Sequence, residues 1–150
     1  MRLNHQEIFK ELTVAFSEYY LNYLLYNKNA QKFNAYNLTA QQDTILFFLK
    51  DNPHITANEI AKKFMISKSA VSQVLSKLET LNFIKREPNP NNHRELFIEL
   101  AEEGVTYQTL SEEADEEFMT KHFADIDLEQ LRNVLQTMKK VNASISSSNK

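Results

Sequence analysis

The stretch from Asn52 to Ile84, NPHITANEIAKKFMISKSAVSQVLSKLETLNFI, constrains the chain more than any other, because it holds start and stop signals for two helices a few residues apart. Thr56 is placed to cap the first, with Glu59 reaching back in a T-x-x-E box, and Ile60, Ala61 and Phe64 recur at the spacing of one inner face. Met65 and Ile66 make the turn, and Ser67 caps the second helix. Asn82 lies just beyond that helix, where chains often turn left-handed and Asn is the usual substitute for Gly. FIKRE, the loop PNPNNHR and ELFIEL then read as a hairpin, with Leu96, Ile98 and Leu100 alternating onto one face.

Helix, turn, helix, hairpin is the order of a winged helix-turn-helix, and the second helix has the composition such a unit needs. Val71, Val74, Leu75 and Leu78 form its inner stripe, while Ser69, Ser72, Gln73 and Ser76 fall at i, i+3, i+4 and i+7 on another face. A helix entering a major groove about 12 Å wide needs small hydroxyls that approach phosphate, an amide that pairs with adenine, and flanking cations. Ser67, Lys68, Ser69, Ser72, Gln73, Ser76 and Lys77 supply that set. An ordinary solvated face is the alternative, but Glu and Lys would be commoner there than serine.

One glycine in 150 residues, Gly104, removes nucleotide-phosphate loops, which need several glycines to bring backbone against phosphate. No serine sits in a glycine-flanked elbow that would expose a nucleophile, so no enzymatic activity is expected. The lack of cysteine excludes disulfides, thiolate metal sites and thiol redox switches. His5, His54, His93 and His122 include no pair at i, i+4, and neither metal nor cofactor is expected. The opening residues lack a signal peptide's apolar core and cleavage site, and no apolar run approaches the roughly 20 residues that span a bilayer. A cytoplasmic protein without a membrane partner is expected.

The formal net charge of -3 divides unevenly. Residues 1–54 hold 5 basic and 5 acidic side chains, residues 55–100 hold 7 and 5, and residues 101–150 hold 5 and 10. The segment with the basic surplus is the one containing the helix pair and hairpin, and the acidic C-terminal part would repel a polyanion.

Both ends of the chain carry apolar stripes at helical spacing. Phe9, Leu12, Phe16, Tyr19, Tyr23 and Tyr26 step by three and four, as do Leu128, Leu131, Leu135 and Met138, continued by Asn142 and Ile145. Asp127 with Gln130 gives the second stripe a capping-box-like start. Packing within one chain or pairing with a second copy would cover either stripe, and the spacing leaves both open.

Taken together, LTAQQDTILFFL at 38–49, the helix pair, LETLNFIKREPNPNNHRELFIEL at 78–100 and EEG at 102–104 resemble the MarR-type transcriptional regulators, over roughly residues 5–148. The resemblance implies one domain over 1–150, mainly α with a small β-hairpin wing. A winged helix-turn-helix at about 38–100 would be flanked by N- and C-terminal dimerisation helices at about 5–30 and 101–148. It implies a homodimeric repressor of double-stranded DNA acting at a pseudo-palindromic operator, with Arg94 of the wing in the minor groove and His93 beside it. Relief by a small aromatic or amphipathic ligand is also implied. Tyr20, Tyr23 and Phe47 are the candidates for that ligand, within an aromatic group that includes Tyr19, Tyr26, Phe33, Tyr36 and Phe48. Core packing is the alternative for these rings, since no convergent charged group marks a pocket. The alternative function is a winged-helix module that binds protein without operator binding.

The chain departs from the family pattern in its wing. Asn92, His93 and Arg94 stand where Asp-Arg-Arg is common, so the carboxylate that would brace the wing arginine is an amide, and a looser wing is expected. Ala101 replaces a capping Thr before the next helix, a loss of about 0.5 to 2 kcal/mol that Glu102 and Glu103 partly offset through the helix dipole.

Overall fold

In a computed structural model of the chain, residues 2–29 and 36–148 are described, which leaves Phe33 outside them. Among the described residues the order is α1 (Arg2–Asn29), α2 (Ala40–Asp51), β1 (Ile55–Thr56), α3 (Ala57–Phe64), α4 (Lys68–Thr80), β2 (Ile84–Asn89), β3 (Asn92–Leu100), α5 (Glu102–Phe123) and α6 (Leu128–Ser148). The fold is mainly helical with a small antiparallel sheet, as expected.

Side chains write most of the helix starts. Thr56 Oγ1 accepts from the Glu59 amide at 3.3 Å while Glu59 Oε2 accepts from the Thr56 amide at 2.8 Å. Thr39 and Gln42 make a second capping box ahead of α2, and Ser67 Oγ accepts from the Ala70 amide at 3.0 Å. Such caps are worth roughly 1 kcal/mol each. At α6 the Asp127 carboxylate accepts from the Glu129 and Gln130 amides at 2.9 and 3.3 Å, without a return bond from the Gln130 side chain. Two helix ends make left-handed turns: Met65 closes α3 at φ 54°, and Asn82 follows α4 at φ 60°.

The chain forms two compact units, Met1–Ala114 and Asp115–Lys150. In the first, Ile45, Leu46 and Leu49 of α2, Ile60 and Ala61 of α3, and Val71, Leu75 and Leu78 of α4 bury together with Phe83, Ile84 and Ile98. The strands run in the order β1-β3-β2. β1, which pairs Ile55 with Ile98 and Thr56 with Phe97, was not anticipated, because two residues are too few to show an alternation. The hairpin strands reach further than expected, leaving Pro90 and Asn91 as the tip. The expected inward alternation holds at Ile98, which is buried, and at Leu100, which is half-buried. Leu96, nearer the tip, is 41% exposed.

α5 is joined to α2 by three polar contacts. Tyr107 Oη donates to Asp43 Oδ1 at 2.7 Å, Gln108 Nε2 donates to the Leu46 carbonyl at 2.7 Å, and Lys50 pairs with Glu112. The Tyr107 ring meets Tyr36 and Phe83 edge-on, at centroid distances of 5.3 and 5.9 Å. Burial pushes the Tyr107 hydroxyl pKa well above the usual tyrosine range, and the bond to Asp43 and its charge push it further.

The stripe of α1 is open to solvent in the single chain: Phe9 is 69% exposed, and Leu12, Phe16 and Tyr19 are also exposed. Tyr23 and Tyr26 are half-buried. In the second unit Phe118 packs against His122 and Phe123, and α6 buries none of its residues.

Candidate nucleic-acid interface

α4 is held by its inner face and free on its outer one. Val71, Leu75 and Leu78 are buried, whereas Lys68, Ser69, Ser72, Gln73, Ser76 and Lys77 are exposed. Among the described residues, the side chains of Ser69, Ser72, Gln73 and Ser76 make no hydrogen bond to protein. The left-handed turn at Met65 and the Ser67 cap set the angle at which α4 leaves α3. A groove lined by Asn58, Ala61, Lys62, Ile66, Ser67 and Lys68 lies along that turn, with two lysines at its rim.

The wing tip is wired by its asparagines. Asn89 Nδ2 donates to Glu95 Oε2 at 3.0 Å, and Asn89 Oδ1 accepts from the Asn91 amide at 2.9 Å. Asn92 Oδ1 accepts from the Arg94 amide at 3.2 Å. The amide at Asn92 therefore braces the backbone of Arg94, a role open to it because an Asx side chain bonds readily two residues ahead. His93 and Arg94 are exposed, and no carboxylate pairs with the Arg94 guanidinium among the described residues.

Two features of this region escape sequence reading. Arg86 of β2 donates from Nε to Glu79 Oε2 of α4 at 3.0 Å, linking wing to helix across the chain reversal at Asn82. The second is the junction of α4 with α5. The Ala101 amide donates to the Phe83 carbonyl at 2.9 Å and the Glu103 amide to the Asn82 carbonyl at 3.1 Å, so a backbone carbonyl takes the Glu103 amide that a capping Thr could otherwise serve. Gly104 sits at this junction because a Cβ there would collide with the Phe83 carbonyl oxygen. A lone glycine in an all but glycine-free chain was the available signal.

The ligand candidates lie on α1 and α2. Tyr23 is half-buried and stacks on Tyr19 at 6.3 Å, while Tyr20 and Phe47 are exposed and make no ring contact among the described residues. No group of three or more candidate metal ligands occurs among the described residues, and no described helix is long and apolar enough to cross a membrane.

A helix pair presenting the open face of α4, with a hairpin wing beside it, defines a winged helix-turn-helix unit. Residues 36–95 match the model of the MarR family. The chain is 27% identical over 104 residues to the HTH-type transcriptional regulator MgrA of Staphylococcus aureus, covering 69% of this chain and 71% of that protein. Its fold matches Streptococcus pneumoniae FabT, solved in complex with DNA, at a TM-score of 0.75 and 16% identity over 95% of this chain and 98% of that one. A MarR transcriptional regulator from Methanosarcina mazei Go1 matches at a TM-score of 0.70 and 17% identity, over 92% and 98%. The chain is thus similar, over residues 36–95, to the MarR family and, in fold, to winged-helix transcriptional regulators.

Proposed function

We propose that the protein is a homodimeric repressor that occupies a pseudo-palindromic site on double-stranded DNA in the cytoplasm and is released by a small aromatic or amphipathic ligand. The observation that carries the DNA reading is the outer face of α4, where exposed hydroxyls and one amide stand unpartnered between two lysines on a helix whose other face is buried. In this reading Gln73 and Ser72 meet base edges, and Ser67, Lys68, Ser69, Ser76 and Lys77 meet phosphate. Arg94 enters the minor groove with His93 beside it. FabT, of the same fold, was solved with DNA, which supports the same partner here. The exposed apolar stripes of α1 and α6 support assembly with a second copy, since contiguous apolar surface of this kind marks an interface. Tyr20, Tyr23 and Phe47 are the residues proposed to meet the ligand.

Titration against random genomic fragments, with sequencing of those retained, tests the reading. The expected result is an inverted repeat whose half-sites are about one helical turn apart. Retention of no duplex would return the chain to the reading as a protein-binding module. A reporter downstream of the recovered site then separates repression from activation.

A further inference from the structure

Glu79 occupies a position that helix energetics alone do not favour. It lies in the last turn of α4, at the negative end of the helix dipole, on a helix proposed to face a polyanion. Its partner explains the choice. Arg86 reaches it through Nε alone, at 3.0 Å, and among the described residues the terminal Nη groups of Arg86 have no protein partner. In β2, Arg86 is paired across from Ile98, and Arg94 lies near the tip of β3, past the register shift at Pro88 and Asn89. Both line a groove whose opposite wall is Thr56, Ala57 and Asn58 at the start of α3.

We propose that Arg86 is a DNA-backbone contact, with Glu79 as its positioning residue. Glu79 holds the guanidinium by its Nε edge, which leaves the two terminal nitrogens to take a phosphate at the groove that Arg94 also borders. A planar fork with one edge occupied presents two parallel donors, the geometry a phosphate accepts. The proposal rests on the DNA reading above and adds a contact on β2, outside the recognition helix and the wing tip. It also gives the acidic residue on α4 a function: without Glu79 the long side chain of Arg86 samples many rotamers and meets phosphate less often.

The test is the salt dependence of duplex binding, because a merely structural residue leaves that slope unchanged. Arg86→Gln is expected to weaken operator and random duplex alike and to lower the slope of log affinity against log salt by about 0.9 per subunit. Glu79→Gln is expected to weaken binding several-fold with the slope retained, and to have no further effect in the Arg86→Gln background. Urea titration of each variant accompanies the binding data. An Arg86→Gln protein that is folded and weak but keeps the full slope overturns the phosphate contact. Equal losses for Glu79→Gln with and without Arg86 overturn the positioning role. Absence of any duplex binding by the unmodified protein removes the DNA reading and this proposal together, a result distinct from either.

Discussion

At the residue scale, the outer face of α4 makes separable predictions for base and phosphate contacts. Gln73→Ala is expected to reduce discrimination at one base pair by about 1 to 3 kcal/mol while leaving random duplex binding nearly unchanged. Lys77→Ala is expected to weaken every duplex and to flatten the salt slope by about 0.9 per subunit. Competition titrations with operator and random DNA distinguish them, and equal losses on both DNAs for Gln73→Ala would rule out its assignment as a base reader. Gly104 makes a prediction of another kind. Alanine is a better helix former than glycine by roughly 1 kcal/mol. Even so, the added methyl would press on the Phe83 carbonyl oxygen and prise the first turn of α5 from Asn82 and Phe83. Gly104→Ala is therefore expected to destabilise the fold by about 2 to 3 kcal/mol, read as a lower urea midpoint.

At the element scale, the helices were legible because their caps and stripes are local. Thr56 with Glu59, Ser67, Asp127 and Asn82 all lie where their residue types lead one to place them. The two-residue strand β1 was not, since its partners on β3 lie more than forty residues away, and neither was the true extent of the hairpin, whose pairs run from Ile84 with Leu100 to Asn89 with Asn92. The same holds for the α2–α5 contact, in which Asp43 and Tyr107 belong to stretches with no common periodicity. Tyr107→Phe is expected to cost about 1 kcal/mol at neutral pH through loss of the bond to Asp43. Its pH dependence has a definite sign. Because the folded state holds the hydroxyl proton above its ordinary value of 10.0, the stabilisation is complete below about pH 10 and is lost as pH rises toward the raised value. Thermal unfolding from pH 9 upward should show a smaller alkaline decline for Tyr107→Phe than for the unmodified protein; identical declines would exclude the coupling.

For the whole molecule, the uncovered stripes of α1 and α6 are the features that a single chain leaves unexplained. Leu135 is 54% exposed and Met138 lies one turn further along the same stripe. Glutamate at both positions would bring charge into a seam proposed to be dry. The Leu135→Glu, Met138→Glu protein is expected to scatter light as a monomer and to lose operator affinity with its second recognition helix, whereas the unmodified chain should scatter as a dimer at micromolar concentration. A folded monomer in the unmodified protein would sink the dimeric reading.

The sequence by itself determined the helix pair, the hairpin, the open face of α4 and the two apolar stripes. Each rests on bonds and exposures settled within a turn or two of chain, where spacing carries the information. Tertiary structure alone decided the backbone brace at Asn92, the Arg86 and Glu79 pair, and the fit of Gly104 against Phe83. Asn92 lacks the carboxylate that would pair with the Arg94 guanidinium, and only the folded tip shows that its oxygen reaches the Arg94 amide instead. The capping loss expected at Ala101 is offset at the Glu103 amide by the carbonyl of Asn82, a group that every residue possesses and that no residue type announces. Such contacts depend on close packing between segments whose approach is set by the fold, and a backbone carbonyl or a missing methyl leaves no periodic trace in the chain that carries it.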